Sequence, residues 1–315
     1  MTTISRRFQI TATWLSLLPA MAGPAMADSH SVTDALGRTV EIADTSRIVS
    51  IGGAVTEILD ALGMAENVVA VDTTSTYPAA MEDKPDVGYM RALAAEGILA
   101  LDPSLIVAIE GAGPPAVLDV LEAASVPFVN IPDTPTPEGI AAKIRAVAAA
   151  VGRAEKGEEL AAAVSADLAA ITTGTASVER RLSVAFILAM RSGAPLVAGS
   201  ATSADAMLSL AGADNAFAAF EGFKPATPEA TVASAPDAVV TMASGEHADG
   251  LDRVRADPAF ATTPAVRQDR LYAHDGTYLL GFGPRTAHAV RDLAADLYPD
   301  LDLPVLPPRP WVAPR

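Results

Sequence analysis

The heptad Asp72-Thr73-Thr74-Ser75-Thr76-Tyr77-Pro78 directly follows the apolar run Asn67-Val68-Val69-Ala70-Val71. The run predicts a short buried strand and the heptad a polar loop at its mouth. Asp, Thr, Ser and Pro are turn formers, through local hydrogen bonds and a fixed φ, so a surface turn is one reading. A ligand contact through Tyr77, one of five tyrosines, is the other. Chemistry-bearing patterns elsewhere are sparse. No Gly-x-Ser-x-Gly elbow, phosphate-cradling Gly-x-x-x-x-Gly-Lys or Gly-x-Gly-x-x-Gly occurs. Cysteine is absent, which excludes thiol catalysis, a disulfide framework and a lipid-bearing cysteine. The four histidines, His30, His247, His274 and His288, show no metal-ligand spacing such as His-x-x-x-His. Acids are plentiful but nothing singles out a catalytic pair, so an enzyme is only a distant alternative.

The elements that must position Tyr77 are legible as an alternation. Ile48–Ile51, Val68–Val71, Leu105–Ile109 and Pro127–Ile131 read as strands. Thr56–Leu62 and Ala116–Ala124 read as helices between them, the first stopped by Gly63. Such alternation predicts βαβ units and a mainly parallel sheet. Ile140, Ile144, Val147 and Val151 then follow a helical period, and an alanine-rich stretch from Ala154 to about Ile171 predicts a long helix. Strand–helix alternation restarts at Leu182–Ala189, Ala204–Leu210, Ala238–Met242 and Arg270–Ala273. A Gly-Phe-Gly-Pro turn and a helix through Leu297 follow. The expected fold is α/β: two lobes with mainly parallel sheets, joined by a single long helix, with a ligand cleft between them. The expected boundaries are a signal peptide at 1–27, an N-terminal lobe at 28–150, a connecting helix at 151–178, a C-terminal lobe at 179–303 and an irregular Pro-rich tail at 304–315.

Arg6 and Arg7, the apolar stretch Ile10–Leu18 and the Ala25-Met26-Ala27 site have the form of a cleavable export signal. Ser5-Arg6-Arg7-Phe8 approaches the twin-arginine pattern with Phe8 one position early, which leaves the export route open. The mature chain is expected to be free and soluble in a bacterial periplasm. The formal charge is −16, and loss of Arg6 and Arg7 makes it −18. Nucleic-acid binding needs a basic face, so no nucleic-acid partner is expected.

Arg47–Ile51 with Thr56-Glu57-Ile58, Leu99–Val107 and Ala235–Val240 give the chain its likeness to a family. It resembles the substrate-binding proteins of ATP-driven importers that have a rigid interlobe helix and serve iron complexes, haem and cobalamin. Four further segments narrow this: the Tyr77 heptad, Val87–Arg91 followed by Ala95–Ile98, Pro195–Gly199, and Gly276–Arg285 (GTYLLGFGPR). Together they resemble the periplasmic haem-binding branch. That resemblance implies haem as the transported ligand and Tyr77 as axial ligand to ferric iron, for which a hard phenolate oxygen is suited. A free phenol titrates near pH ~10, so the metal or a nearby cation must favour its ionised form. Arg91 and Arg191 are the candidate cations, or alternatively partners for a haem propionate. Tyr89, Met90, Met190 and Tyr278 are candidate pocket residues. Phe223 and Phe282 could line the slot or sit in the core.

The resemblance has one departure. Some haem-binding members supply a histidine near the second lobe's first strand, where this chain reads Ile187-Leu188-Ala189-Met190-Arg191-Ser192. Iron is then five-coordinate through Tyr77, or another group approaches its far face; a Met190 thioether opposite phenolate mismatches soft and hard donors. Glu96 and Glu229 occupy matched settings in the two lobes and are the implied contacts to an ABC permease dimer at the inner membrane. A carboxylate at a helix start is also ordinary capping chemistry. A monomer with only small closure on binding is expected. The near alternative is the same fold carrying a ferric siderophore or cobalamin. Free metal-ion binders of the superfamily need a His and carboxylate cluster, which the lack of first-lobe histidines after His30 disfavours.

Overall fold

Ile48, Val49, Ser50 and Ile51 are all buried. Such a run suits a strand covered on both faces, as in a parallel sheet. The computed structural model describes residues 29–191, 194–243 and 249–312. The signal at 1–27, His247 and the side chain of Arg191 lie outside the described residues.

The first lobe opens with a hairpin, β1 (His30–Thr33) and β2 (Thr39–Ile42), paired antiparallel. Then come β3 (Ile48–Ile51), α1 (Gly53–Ala61), β4 (Val68–Val71), α2 (Ala95–Leu99), β5 (Leu105–Ile109), α3 (Pro115–Ala123) and β6 (Phe128–Ile131). Strand order is β4-β3-β5-β6, with every pairing parallel. Helix α4 (Pro137–Ala150) starts at a Thr136 cap whose hydroxyl accepts from Gly139 N, and it covers one face of this sheet.

Gly152, at φ +66°, breaks the helical run, and α5 (Ala154–Thr175) begins just beyond it. At 22 residues, α5 is about 33 Å long. Gly157 lets it lie against α4, since a Cβ there would meet Ala148 Cβ at 2.2 Å. Leu160, Val164, Leu168 and Ile171 recur at helical spacing, and all are buried in the core that runs through both lobes.

The second lobe contains β7 (Ser183–Arg191), β8 (Ala194–Ala198), α6 (Ser203–Leu210), β9 (Asp214–Asn215), β10 (Phe223–Pro225), α7 (Pro228–Ser234), β11 (Ala238–Met242), α8 (Gly250–Ala256), α9 (Pro264–Arg267), β12 (Leu271–His274), α10 (Gly276–Leu280) and α11 (Thr286–Leu297). Its sheet runs β10-β8-β7-β11-β12, with β9 also on β7. Unlike the first sheet it is mixed, because β8 pairs antiparallel with both β7 and β10. Beyond α11 the described residues form no helix or strand, yet they stay attached: Leu306 is buried in the same core, with Leu303 and Trp311 packed beside it. No described helix is long and apolar enough to cross a membrane.

Candidate functional site

The hydroxyl residues around Tyr77 form a buried web that ties the loop to the start of α1. Asp72 accepts from Gly52 N at 2.8 Å, Ser75 Oγ at 2.9 Å and Thr74 Oγ1 at 2.7 Å. Gly53 N donates to Thr74 Oγ1 at 2.9 Å. A second chain runs from Ser50 through Thr56 to Ser75, each step 2.7 Å. Asp72 therefore places its carboxylate where the first N–H groups of α1 are unpaired and the helix dipole is positive. Gly52 sits at φ +108°, and a Cβ on Gly53 would meet Thr74 O at 2.4 Å, so this approach requires the Gly-Gly pair. The heptad is thus a turn at Asp72, Thr74 and Ser75, but a buried one at Asp72 and Ser75 rather than a surface turn, and it delivers Tyr77 to the seam between the lobes.

At that seam Tyr77 meets the second lobe. The Arg285 guanidinium carbon lies 3.6 Å from the centre of the Tyr77 ring and 5.0 Å from that of Tyr278. Thr76 and Thr277 hydroxyls are 2.9 Å apart. The Tyr77 hydroxyl donates to Trp311 O at 3.1 Å, and the Tyr278 hydroxyl to Asp292 Oδ2 at 2.6 Å. Arg285 is itself fixed by a two-pronged bond to Glu57 on α1, Nε to Oε2 at 3.0 Å and Nη2 to Oε1 at 2.6 Å. Burial works against the Arg285 charge, but Glu57, and next the nearby Tyr77 and Tyr278 oxygens, raise its pKa above the ordinary guanidinium value. Burial pushes the Glu57 carboxyl up, and Arg285 opposes that. The fork geometry is that of an ion pair.

A second polar lock lies beside it. Lys143 on α4 is fully buried and donates to Asp133 Oδ1 at 2.5 Å and to the carbonyls of Gly281 and Phe282, each at 3.2 Å. The turn preceding Arg285 is therefore gripped from the first lobe at both ends. Gly283 packs against Ala54 and Glu57, and a Cβ there would meet both at 3.4 to 3.5 Å.

Of the residues singled out from sequence, Tyr77 and Tyr278 meet through Arg285. Tyr89 and Met90 lie on the neighbouring loop, which is stitched to the Tyr77 loop by Thr73 N donating to Gly88 O at 3.1 Å. Tyr89 is 46% exposed, while Met90 is half-buried against the core. Arg91 is exposed and forms no ion pair with a described residue. Met190 is half-buried on β7, packed beside the core of its lobe. Phe282 is buried core, and Phe223 lies exposed on β10. Glu96 and Glu229 stand exposed in the first turns of α2 and α7, where the Glu229 backbone N–H, and next Thr227, hold the Glu229 carboxyl below its ordinary range. Among the described residues no group of three or more His, Asp or Glu could hold a metal ion.

Sequence reasoning missed Arg285 as the cation against Tyr77, and Glu57 as what holds it. A carboxylate beside Ile58 and Leu59 on an apolar helix face was the available signal, since a buried acid needs a partner. Trp311 was missed because nothing in the tail points to a contact with Tyr77, 234 positions away.

Comparison with known proteins gives this architecture its place. Residues 48–278 match the family described as periplasmic binding protein. The periplasmic haem-binding protein RhuT from Roseiflexus sp. RS-1, solved in apo form, is 41% identical and superposes with a TM-score of 0.78, over 82% of this chain and 100% of its own. The uncharacterized ABC transporter substrate-binding lipoprotein YvrC from Bacillus subtilis (strain 168) is 29% identical over 275 residues, 86% of each chain. The vitamin B12-binding protein from Vibrio campbellii (strain ATCC BAA-1116) is 32% identical over 125 residues, 40% of this chain and 45% of that protein. With the family matched from β3 into α10 and one solved relative covered end to end, the chain belongs to the periplasmic binding protein family.

Proposed function

We propose that this chain binds ferric haem in the periplasm and delivers it to an ABC permease dimer in the inner membrane, with residues 1–27 removed on export. The observation that carries the proposal is the tyrosine at the interlobe seam: Tyr77, fixed by the Asp72 web and stacked on Arg285. A phenolate oxygen is a ligand for ferric haem, and the Arg285 guanidinium held against the ring sets a positive charge beside it. The identity to RhuT supports haem as the cargo. Tyr89, Met90, Met190 and Tyr278 are the residues we assign to the porphyrin pocket, and Arg91 and Arg191 the cations we assign to the propionates. Glu96 and Glu229 supply one exposed carboxylate per lobe for docking on permease arginines. The family serves substrate binding and transport, and no catalytic step is assigned to this chain.

Cobalamin is the second reading, favoured by the likeness to the Vibrio campbellii protein. Titration of the purified protein with ferric haem, cobalamin and a ferric siderophore separates them. A Soret band that saturates with haem, alongside no response to the other two, is expected. Saturable cobalamin binding without a haem response would replace haem by cobalamin.

A further inference from the structure

The tail after α11 is a strap with its own anchors. A Cβ on Gly174 would come within 3.1 Å of Leu303 and 3.4 Å of Pro304, so the chain leaves α11 pressed against the bare end of α5. Leu306 is buried. Arg309 then forms a fork on the buried Asp167 of α5, Nε to Oδ2 at 2.8 Å and Nη2 to Oδ1 at 2.7 Å. Its guanidinium carbon also lies 5.5 Å from the Trp311 ring. The strap thus runs back along α5, from Gly174 toward Asp167, and ends with Trp311 O accepting the Tyr77 hydroxyl hydrogen. Pro304, Pro307, Pro308 and Pro310 stiffen it, which lowers the entropy lost on laying it down.

We propose that residues 304–312 form a tethered cover over the Tyr77 oxygen, which haem loading must displace; this rests on Tyr77 being the iron ligand. The oxygen that would bond Fe(III) is the oxygen now bonded to Trp311. For ligation the Tyr77 O–H proton passes to solvent, the phenolate oxygen bonds iron, and the Trp311 carbonyl, its donor gone, must turn to water or another N–H. An anionic oxygen facing a carbonyl lone pair is repulsive, so the closed strap and the iron–phenolate bond exclude one another. The closed state also holds a defect: the Trp311 indole Nε1–H is buried with no acceptor among the described residues. A buried donor without a partner is destabilising, and that makes the cover releasable. Ligand affinity is then reduced by the fraction of molecules in which the strap is closed.

The test uses full-length variants and stopped-flow mixing with ferric haem, read at the Soret band. Arg309→Ala alone strands the buried Asp167 carboxylate, so the double variant Asp167→Asn/Arg309→Ala is measured beside it. In both, association is expected to be about fivefold faster, the scale of one weak polar anchor, with the wild-type final spectrum. Unchanged or slower association in the double variant, with that same final spectrum, overturns the strap and leaves the ligand assignment intact. Tyr77→Phe is the separate arm: a wild-type spectrum there removes the ligand assignment, and the strap proposal with it.

Discussion

Arg285 is the residue on which the site's electrostatics turn. Its charge is half-buried, held by Glu57, and presented to the faces of Tyr77 and Tyr278. Lysine keeps the charge but loses the planar fork and the stack. Arg285→Lys is therefore expected to bind ferric haem about tenfold more weakly, the usual scale for an outer partner of a metal ligand. An isothermal or spectroscopic titration checks it, and wild-type affinity would mean that the stack does not support Tyr77. Little of this was legible beforehand. Tyr77 itself stood out as an aromatic among hydroxyl residues, but its cation did not. Arg285 gains its meaning from Glu57, 228 positions earlier, and pairing at that range leaves no periodic mark on the sequence. Arg91 was the nearer candidate because proximity along the chain is all that a sequence displays directly.

Helices and strands show the opposite balance. Val68–Val71 and Leu105–Ile109 are continuous apolar runs and Ile48–Ile51 is interrupted only by Ser50, so all three strands were readable. The hairpin β1–β2 was not, because His30–Thr33 and Thr39–Ile42 mix exposed and half-buried residues, with only Ile42 buried. Nor was β8, whose Pro195 argues against an internal strand even though Leu196 and Val197 pair with β10. Element junctions carry a pH signature. The Tyr298 hydroxyl, just past α11, donates to Gly212 O at 2.7 Å and accepts from Leu182 N at 2.9 Å. Burial raises its pKa, against an opposing effect from the Leu182 N–H. Burial raises Tyr272 as well. A phenol whose pKa is raised on folding keeps its proton longer in the native state, so its contribution is full below about pH 10 and is lost above it. Thermal unfolding should show stability falling above about pH 10. Tyr298→Phe should soften that fall without abolishing it, at a cost of about 1 kcal/mol near pH 8 from the lost hydrogen bonds. An identical alkaline slope in the variant would place the titration elsewhere.

Across the whole molecule, two lobes share one core through α5 and are locked at the seam by Lys143 and by the Glu57–Arg285 pair. Opening such a seam strands buried charges, which costs several kcal/mol, so ligand binding should be accompanied by small closure. Under the proposed function, the exposed Glu96 and Glu229 are the carboxylates that meet a permease. Glu96→Ala/Glu229→Ala should leave haem affinity unchanged and abolish haem transfer to a reconstituted importer. Transfer at the wild-type rate would move the docking surface elsewhere. The central claim is that a phenolate oxygen from the Asp72-bound loop takes the iron, and the visible spectrum of haem-titrated protein beside Tyr77→Phe tests it most directly. The account predicts that the variant loses the tyrosinate spectrum and binds at least about tenfold more weakly. Superimposable spectra and equal affinities would contradict it.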